Sequence, residues 1–143
     1  MNRHRMEGGC HCGQLSIAIE LTAPPFSFHP RACDCGFCLK HGAAYLSDPN
    51  GMLELRAREP QNRGAYRQGS EAAEFVICKS CGIMIAVVCR EGDRTYAAVN
   101  VNALSEPHIF GETQVISPMQ LSALEKTQRW RQVWFHRVSE HES

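Results

Sequence analysis

The chain has 143 residues, 15 basic and 15 acidic side chains, 43% hydrophobic residues and eight cysteines. That length suits one domain with a real core, and the cancelling charges argue against a surface for nucleic acid or an anionic membrane. The longest apolar run, Ile83 to Cys89, is far too short to span a bilayer. No apolar segment follows the charged start, so no export signal is expected, and the thiols are expected to stay reduced in the cytoplasm.

Cys10-His11-Cys12-Gly13 begins the patterned part of the chain. After it Leu15, Ile17, Ile19 and Leu21 alternate with Gln14, Ser16, Ala18 and Glu20, a period of two that predicts a half-buried strand ended by Pro24-Pro25. Phe26 and Phe28 predict a second short strand running into His29-Pro30-Arg31. Next comes Cys33-Asp34-Cys35-Gly36-Phe37-Cys38, three thiols in six residues. Ala43 to Leu46 predicts a short strand, Asp48-Pro49-Asn50-Gly51 a turn, and Met52 to Leu55 another strand. Arg56 to Gly69 is polar and reads as loop.

Phe75-Val76-Ile77 predicts a strand entering Cys78-Lys79-Ser80-Cys81-Gly82. Ile83 to Cys89 leaves it as a strand apolar on both faces, hence buried. After a turn at Glu91-Gly92-Asp93, Tyr96 to Val101 returns. Strand, knuckle and strand make a hairpin with an ion at its tip. Farther on, Ser117 reads as an N-cap with Pro118 at the first helical position and Gln120 completing a capping box. The helix is expected to run to about Trp134. Trp130 and Trp134, one turn apart, are expected to pack on the sheet, with a ligand groove as the other possibility. From Ser139 a frayed polar tail is expected.

The cysteines come as C-x-C, C-x-C-x-x-C and C-x-x-C, a clustering suited to an ion rather than to four disulfides. Glycine follows a cysteine in each cluster, at Gly13, Gly36 and Gly82. A metal knuckle curls so that backbone N–H groups face sulfur, and glycine reaches the positive φ this needs. Zinc takes four tetrahedral ligands, and a site with three protein ligands keeps one position for water or substrate. One partition joins Cys10 and Cys12 to Cys78 and Cys81 as a closed site, whose metal-binding free energy counts as folding free energy. Cys33, Cys35 and Cys38 then remain for a second ion. Cys89 is spare, either a fourth ligand or plain core. It lies about 26 Å along the strand from Cys81 at roughly 3.3 Å per residue, away from the hairpin tip.

The motif Gly9-Cys10-His11-Cys12-Gly13 before an alternating strand, the three-cysteine stretch before Gly42-Ala43, and Cys78-Lys79-Ser80-Cys81-Gly82 resemble the glutathione-dependent formaldehyde-activating enzyme family, which also includes centromere protein V. The resemblance runs from about Gly8 to Phe110 and takes in Pro24-Pro25 and Glu106-Pro107-His108-Ile109. It implies a mainly β fold of antiparallel sheets joined at zinc, of the β-tent type, here with a short C-terminal helix. A single domain would have its core at about 8–116 and a helical extension at 117–138. The resemblance also implies two zinc ions per chain. Cys10, Cys12, Cys78 and Cys81 would hold a structural ion, and Cys33, Cys35 and Cys38 a catalytic one that glutathione approaches. The implied activity is that of S-(hydroxymethyl)glutathione synthase, a carbon–sulfur lyase acting on a thiol and a small aldehyde.

This chain departs from the family at Gly36, where serine is usual, in a shorter interval from Cys38 to Gly42, at Asn102-Ala103-Leu104-Ser105, and in the helix after Ser117. Those positions surround the place expected for substrate. Addition of a thiol to an aldehyde needs a proton donor, for which His29, His41 and Tyr45 are nearest in sequence. Arg31, Lys40 and Arg67 are candidates for the glutathione carboxylates, and His11 is expected to face solvent. Two other readings compete with the enzyme. One is a non-catalytic zinc module for a protein partner or thiol metabolite. The other is a redox C-x-x-C at Cys78 and Cys81, which would want a βαβ context that the flanking strands do not offer.

Overall fold

Alternating apolar and polar side chains must bury one face and wet the other, and most of this chain answers that demand with strands. The structure, a computed structural model, describes residues 3–67, 73–117 and 121–142. In chain order the strands are β1 (His4–Gly9), β2 (Leu15–Leu21), β3 (Arg31–Cys33), β4 (Ala44–Leu46), β5 (Met52–Ala57), β6 (Arg63–Arg67), β7 (Glu74–Cys78), β8 (Met84–Glu91), β9 (Arg94–Asn100), β10 (Gln114–Ile116) and β11 (Arg137–Glu142). Two helices, α1 (Gly36–His41) and α2 (Ala123–Val133), complete the set with three short 3-10 turns. Among the described residues no helix is long and apolar enough to cross a membrane.

The strands form a four-stranded sheet in the order β1-β2-β5-β11 and a seven-stranded sheet in the order β10-β3-β4-β9-β8-β7-β6. The fold is therefore mainly β, as expected. Pairing is antiparallel except at two places, β10 on β3 and β11 on β5, which are parallel. One core lies between the sheets. Leu15, Ile17, Ile19 and Leu21 of β2 meet Val76, Ile85, Val88 and Val99 of the larger sheet around the fully buried Phe135. A second core covers the other face of the larger sheet, where Tyr45, Phe75, Val87 and Tyr96 pack with Trp134 and the three-cysteine stretch. Residues of β8 divide between the two cores, which explains its apolar character on both faces.

Several local expectations are overturned. Phe26 belongs to a 3-10 turn, Pro25–Ser27, because Pro25 presets its φ and Ser27 bonds back to the Pro24 carbonyl. The polar stretch read as loop contains the edge strand β6, whose mixed side chains suit a strand with one neighbour. The three-cysteine stretch is itself helical from Gly36, with the Cys35 sulfur as the N-cap acceptor for the Cys38 N–H. The long helix begins later than expected. Ser122 caps it, accepting from the Glu125 N–H at 3.1 Å while Glu125 accepts from the Ser122 N–H at 2.9 Å. Of the expected cap, Pro118 and Gln120 lie outside the described residues, and the Ser117 hydroxyl bonds Asp34 at 2.5 Å.

The expected frayed tail is β11. Phe135 exchanges two backbone hydrogen bonds with Ala97 and thereby aims the chain back onto β5. Charges then hold the strand against both sheets. Arg63 of β6 pairs with Glu74 of β7 at 2.7 Å and with Glu140 of β11 at 2.9 Å, and Arg90 of β8 pairs with Glu74 at 3.1 Å and with Glu140. Arg67 reaches Glu74 as well, at 3.0 Å.

Burial alone would raise the Glu74 pKa, but the surrounding guanidiniums, Arg63 foremost, hold it below the usual carboxylate range. A lowered folded-state pKa means stability that is present above the ordinary carboxylate pKa and is lost as pH falls through the lowered value. Glu74→Gln is expected to cost about 2 kcal/mol at neutral pH, since it removes the charge of the one buried carboxylate that three guanidiniums share. Urea unfolding from pH 7 downward checks this, and the variant's stability should fall less steeply with acid than that of the parent chain.

Candidate metal and substrate centre

A cysteine knuckle needs a tight turn, and both turns at the first cluster supply one through glycine. Gly13 has φ 85° and Gly82 has φ 83°, the left-handed region that glycine reaches without a Cβ clash. Gly36 does not follow this pattern, because it opens α1 rather than closing a turn. With the chain curled, N–H groups face sulfur. The Leu15 N–H donates to Cys10 Sγ at 3.2 Å and the Cys81 N–H to Cys78 Sγ at 3.4 Å.

The β1–β2 turn carries Cys10 and Cys12, the β7–β8 turn carries Cys78 and Cys81, and the four sulfurs lie within 4.8 Å of one another. Cys10 and Cys12 sulfurs are 3.7 Å apart and those of Cys12 and Cys78 are 3.6 Å apart. A tetrahedral ion with about 2.3 Å bonds to sulfur needs an edge of about 3.8 Å, so the donor set fits zinc in kind and spacing. The sequence partition of these four is thus brought together in space. His11 is exposed, as expected. The C-x-x-C of Cys78 and Cys81 sits on a hairpin tip between β7 and β8, not at the head of a helix.

Cys33 at the end of β3, and Cys35 and Cys38 around the start of α1, bring three more sulfurs within 4.8 Å of one another. Among the described residues no fourth histidine, cysteine or carboxylate joins that group. All three are buried. A hydrogen bond from Cys38 holds the Cys33 thiol down at about 6 against the opposing effect of burial, and the same bond pushes Cys38 up. Cys38 Sγ also lies 3.0 Å from the Tyr45 hydroxyl, whose pKa burial raises first and the Cys38 sulfur second. Cys89 shares the apolar core around these residues without entering the sulfur group. Burial and Glu91 push its thiol up, the behaviour of a core cysteine.

Two cavities open onto this triple. One, of about 480 Å³, has Cys33 and Cys38 in its wall together with Asn102, His108 and Phe110. Asn102 fixes that wall by donating to the Gly42 carbonyl at 2.8 Å, just past α1. The other, of about 350 Å³, lies under α2, with Cys33, Cys35 and Cys38 on one side and Trp130 and Trp134 on the other. The tryptophans stack with centroids 4.6 Å apart and an interplanar angle of 14°. They do pack toward the sheet, and they also line a cavity.

Of the three expected proton donors only Tyr45 stands at the sulfurs. His29 is bonded to the Glu112 carbonyl at 2.8 Å, and His41 is exposed against the Phe37 ring. Of the three expected cations only Arg31 lines a cavity; Lys40 is exposed and Arg67 is engaged by Glu74. Asn102, one of the departures from the family expected around the substrate, does line the cavity. Sequence reasoning missed the site positions of His108, Lys126 and Arg129. His108 lay within a noted motif, whereas the α2 residues reach the site only through the way the helix docks.

If the two sulfur groups hold separate ions, Cys78→Ser should remove one equivalent of metal and lower Tm by about 10 °C or more. Cys35→Ser should remove the other equivalent and lower Tm by about 5 °C or less, since no second turn is tethered there. Cys89→Ala should keep both equivalents. Metal content per chain and thermal unfolding read all three.

A family model described as glutathione-dependent formaldehyde-activating enzyme matches residues 5–118. The chain is also similar to a Rhodobacter sphaeroides protein of known crystal structure, with a TM-score of 0.57 and 29% identity, covering 78% of this chain and 100% of that one. The matched span contains both sulfur groups and ends before α2 and β11.

Proposed function

The chain belongs to the glutathione-dependent formaldehyde-activating enzyme family, and from that premise we propose that it is a zinc-dependent enzyme of the carbon–sulfur lyase type. Its substrates are glutathione or a related thiol and a small aldehyde. In this reading Cys10, Cys12, Cys78 and Cys81 hold a structural zinc, and Cys33, Cys35 and Cys38 hold a catalytic one. The chain is one domain with its core at about 8–116 and an extension at 117–138, working in the reducing cytoplasm.

One observation carries the reading: a sulfur triple, joined by no fourth ligating side chain among the described residues, faces two cavities. A bound ion there supplies a place where a thiol is held as its thiolate, the nucleophile that an aldehyde carbon needs. The chain's own groups do the rest. Addition forms the carbon–sulfur bond and leaves charge on the former carbonyl oxygen, which needs a proton. Tyr45 Oη is positioned for that role, 3.0 Å from Cys38 Sγ, and burial keeps it protonated. The proton lost by the thiol replaces the one given by Tyr45, and cleavage of the adduct runs these transfers backward. Apolar side chains of the second core pack around the sulfurs on the sides away from the cavities.

Cobalt substituted for the native ion gives the test. Glutathione added to protein with two ions bound is expected to change the absorption of one of them. Silence at millimolar thiol would leave the alternative, a non-catalytic zinc module for a protein partner or thiol metabolite. Tyr45→Phe is expected to keep both equivalents of metal and to lower kcat about 10- to 100-fold in hydroxymethylglutathione formation. An unchanged kcat would remove Tyr45 from the proton transfer.

A further inference from the structure

The cavity under α2 has a wall that the rest of the matched family span does not supply. Residues 5–118 form one side of it, and α2, beyond that span, forms the other. The docking of α2 is well built. Arg131 makes a bidentate pair with Glu91 at 2.6 and 2.7 Å, and the Ser47 hydroxyl donates to the Val133 carbonyl at 2.6 Å. The Ser122–Glu125 capping box closes the helix's own first turn. A helix tied down through its last turn carries Trp130 and Trp134 at a fixed place over the sheet.

Two features of that surface specify a ligand. The first is charge. Arg31, Lys126 and Arg129 all line the cavity, and among the described residues no carboxylate pairs with any of them. Arg31 donates only to the neutral Ser47 hydroxyl, at 2.6 Å, and is close enough to Arg129 for the two positive charges to oppose each other. Three thiolates around a divalent ion leave a net charge of about −1, which one cation balances. Two remain, and the partly buried Arg31 beside the like charge of the exposed Arg129 wants an anion.

The second feature is shape. Trp130 and Trp134 stack into a flat apolar surface, and Phe75 and Val87 line the same cavity. Its volume of about 350 Å³ is ample for a ring or branched chain and generous for a single hydroxymethyl group.

We propose that this cavity is a selectivity pocket for organic carboxylates that carry a flat or branched apolar group, with Arg31 and Arg129 receiving the carboxylate and Trp130, Trp134 and Phe75 the apolar part. Resting on the assignment of the sulfur triple as the reactive centre, it means that the preferred thiol or thiol adduct bears an aryl or comparably bulky group as well as a carboxylate. The compact hydroxymethyl adduct is then a poor match to this side of the centre.

The test uses the metal-loaded full chain and probes that contain no sulfur: 4-phenylbutyrate, its neutral amide, and butyrate. The chain's two tryptophans are both in the pocket wall, so their fluorescence reports occupancy directly, and calorimetry gives the affinities. Phenylbutyrate is expected to bind at least about tenfold more tightly than either the amide or butyrate. Arg129→Ala should bring the acid down to the level of the amide, and Trp130→Ala should weaken acid and amide together. Metal content and circular dichroism show that each variant is folded. Equal binding of all three probes, no binding of any, or an Arg129→Ala variant that still prefers the acid would each overturn the proposal. Because no probe can ligate through sulfur, these outcomes are independent of the cobalt–glutathione result. Failure of the pocket and failure of the reactive centre are therefore told apart.

Discussion

Four sulfurs drawn from two turns far apart in sequence meet within 4.8 Å. Thiolates repel at that range, so the arrangement is stable only with a cation among them or with protons shared between the sulfurs. Everything else hangs from this knot. It ties the β1–β2 turn of the smaller sheet to the β7–β8 turn of the larger one, and so sets how the two sheets lean together. The main core fills the space between them. Metal bound there contributes directly to folding free energy, since the unfolded chain does not hold the four sulfurs together.

The larger sheet then has two different tasks on its two faces. One face joins the smaller sheet in an apolar core that reaches to Cys10 and Cys78 at the knot. The other carries Tyr45, Phe75 and Cys89 toward α1, α2 and the sulfur triple. β8 sits between, contributing Ile85 and Val88 to the first face and Met84, Val87 and Cys89 to the second. A change in β8 therefore reaches both the fold and the site, because close-packed interiors transmit small displacements.

The last twenty or so residues bind these parts further. α2 covers the site face of the larger sheet, Phe135 threads into the main core, and β11 adds an edge to the smaller sheet. Arg63 and Arg90 reach from the larger sheet to Glu140 on β11. One short segment thus touches both sheets and both cores. It also supplies the pocket wall that lies beyond the family match.

Much of this was legible in the residues themselves. The two-residue period of β2, the doubly apolar β8 and the cysteine spacings are local patterns, and local patterns follow from pleat geometry and ligand chemistry alone. The partition of sulfurs into four and three could be written down, and the structure brings those groups together. What the residues hid was whatever depends on a partner. β6 and β11 are polar edge strands whose hydrogen bonds come from β7 and β5, so their own composition reads as loop and tail. Tyr45 was one of three equal candidates until packing put its hydroxyl on Cys38 and sent His29 and His41 to the surface. Arg129, an exposed helix cation, comes to share a cavity with Arg31 and the sulfurs only because α2 docks there. Sequence determined the chemistry available, because donor type and periodicity are properties of single segments. Only tertiary structure decided which of those groups share a cavity, because that depends on contacts between segments that carry no trace of one another.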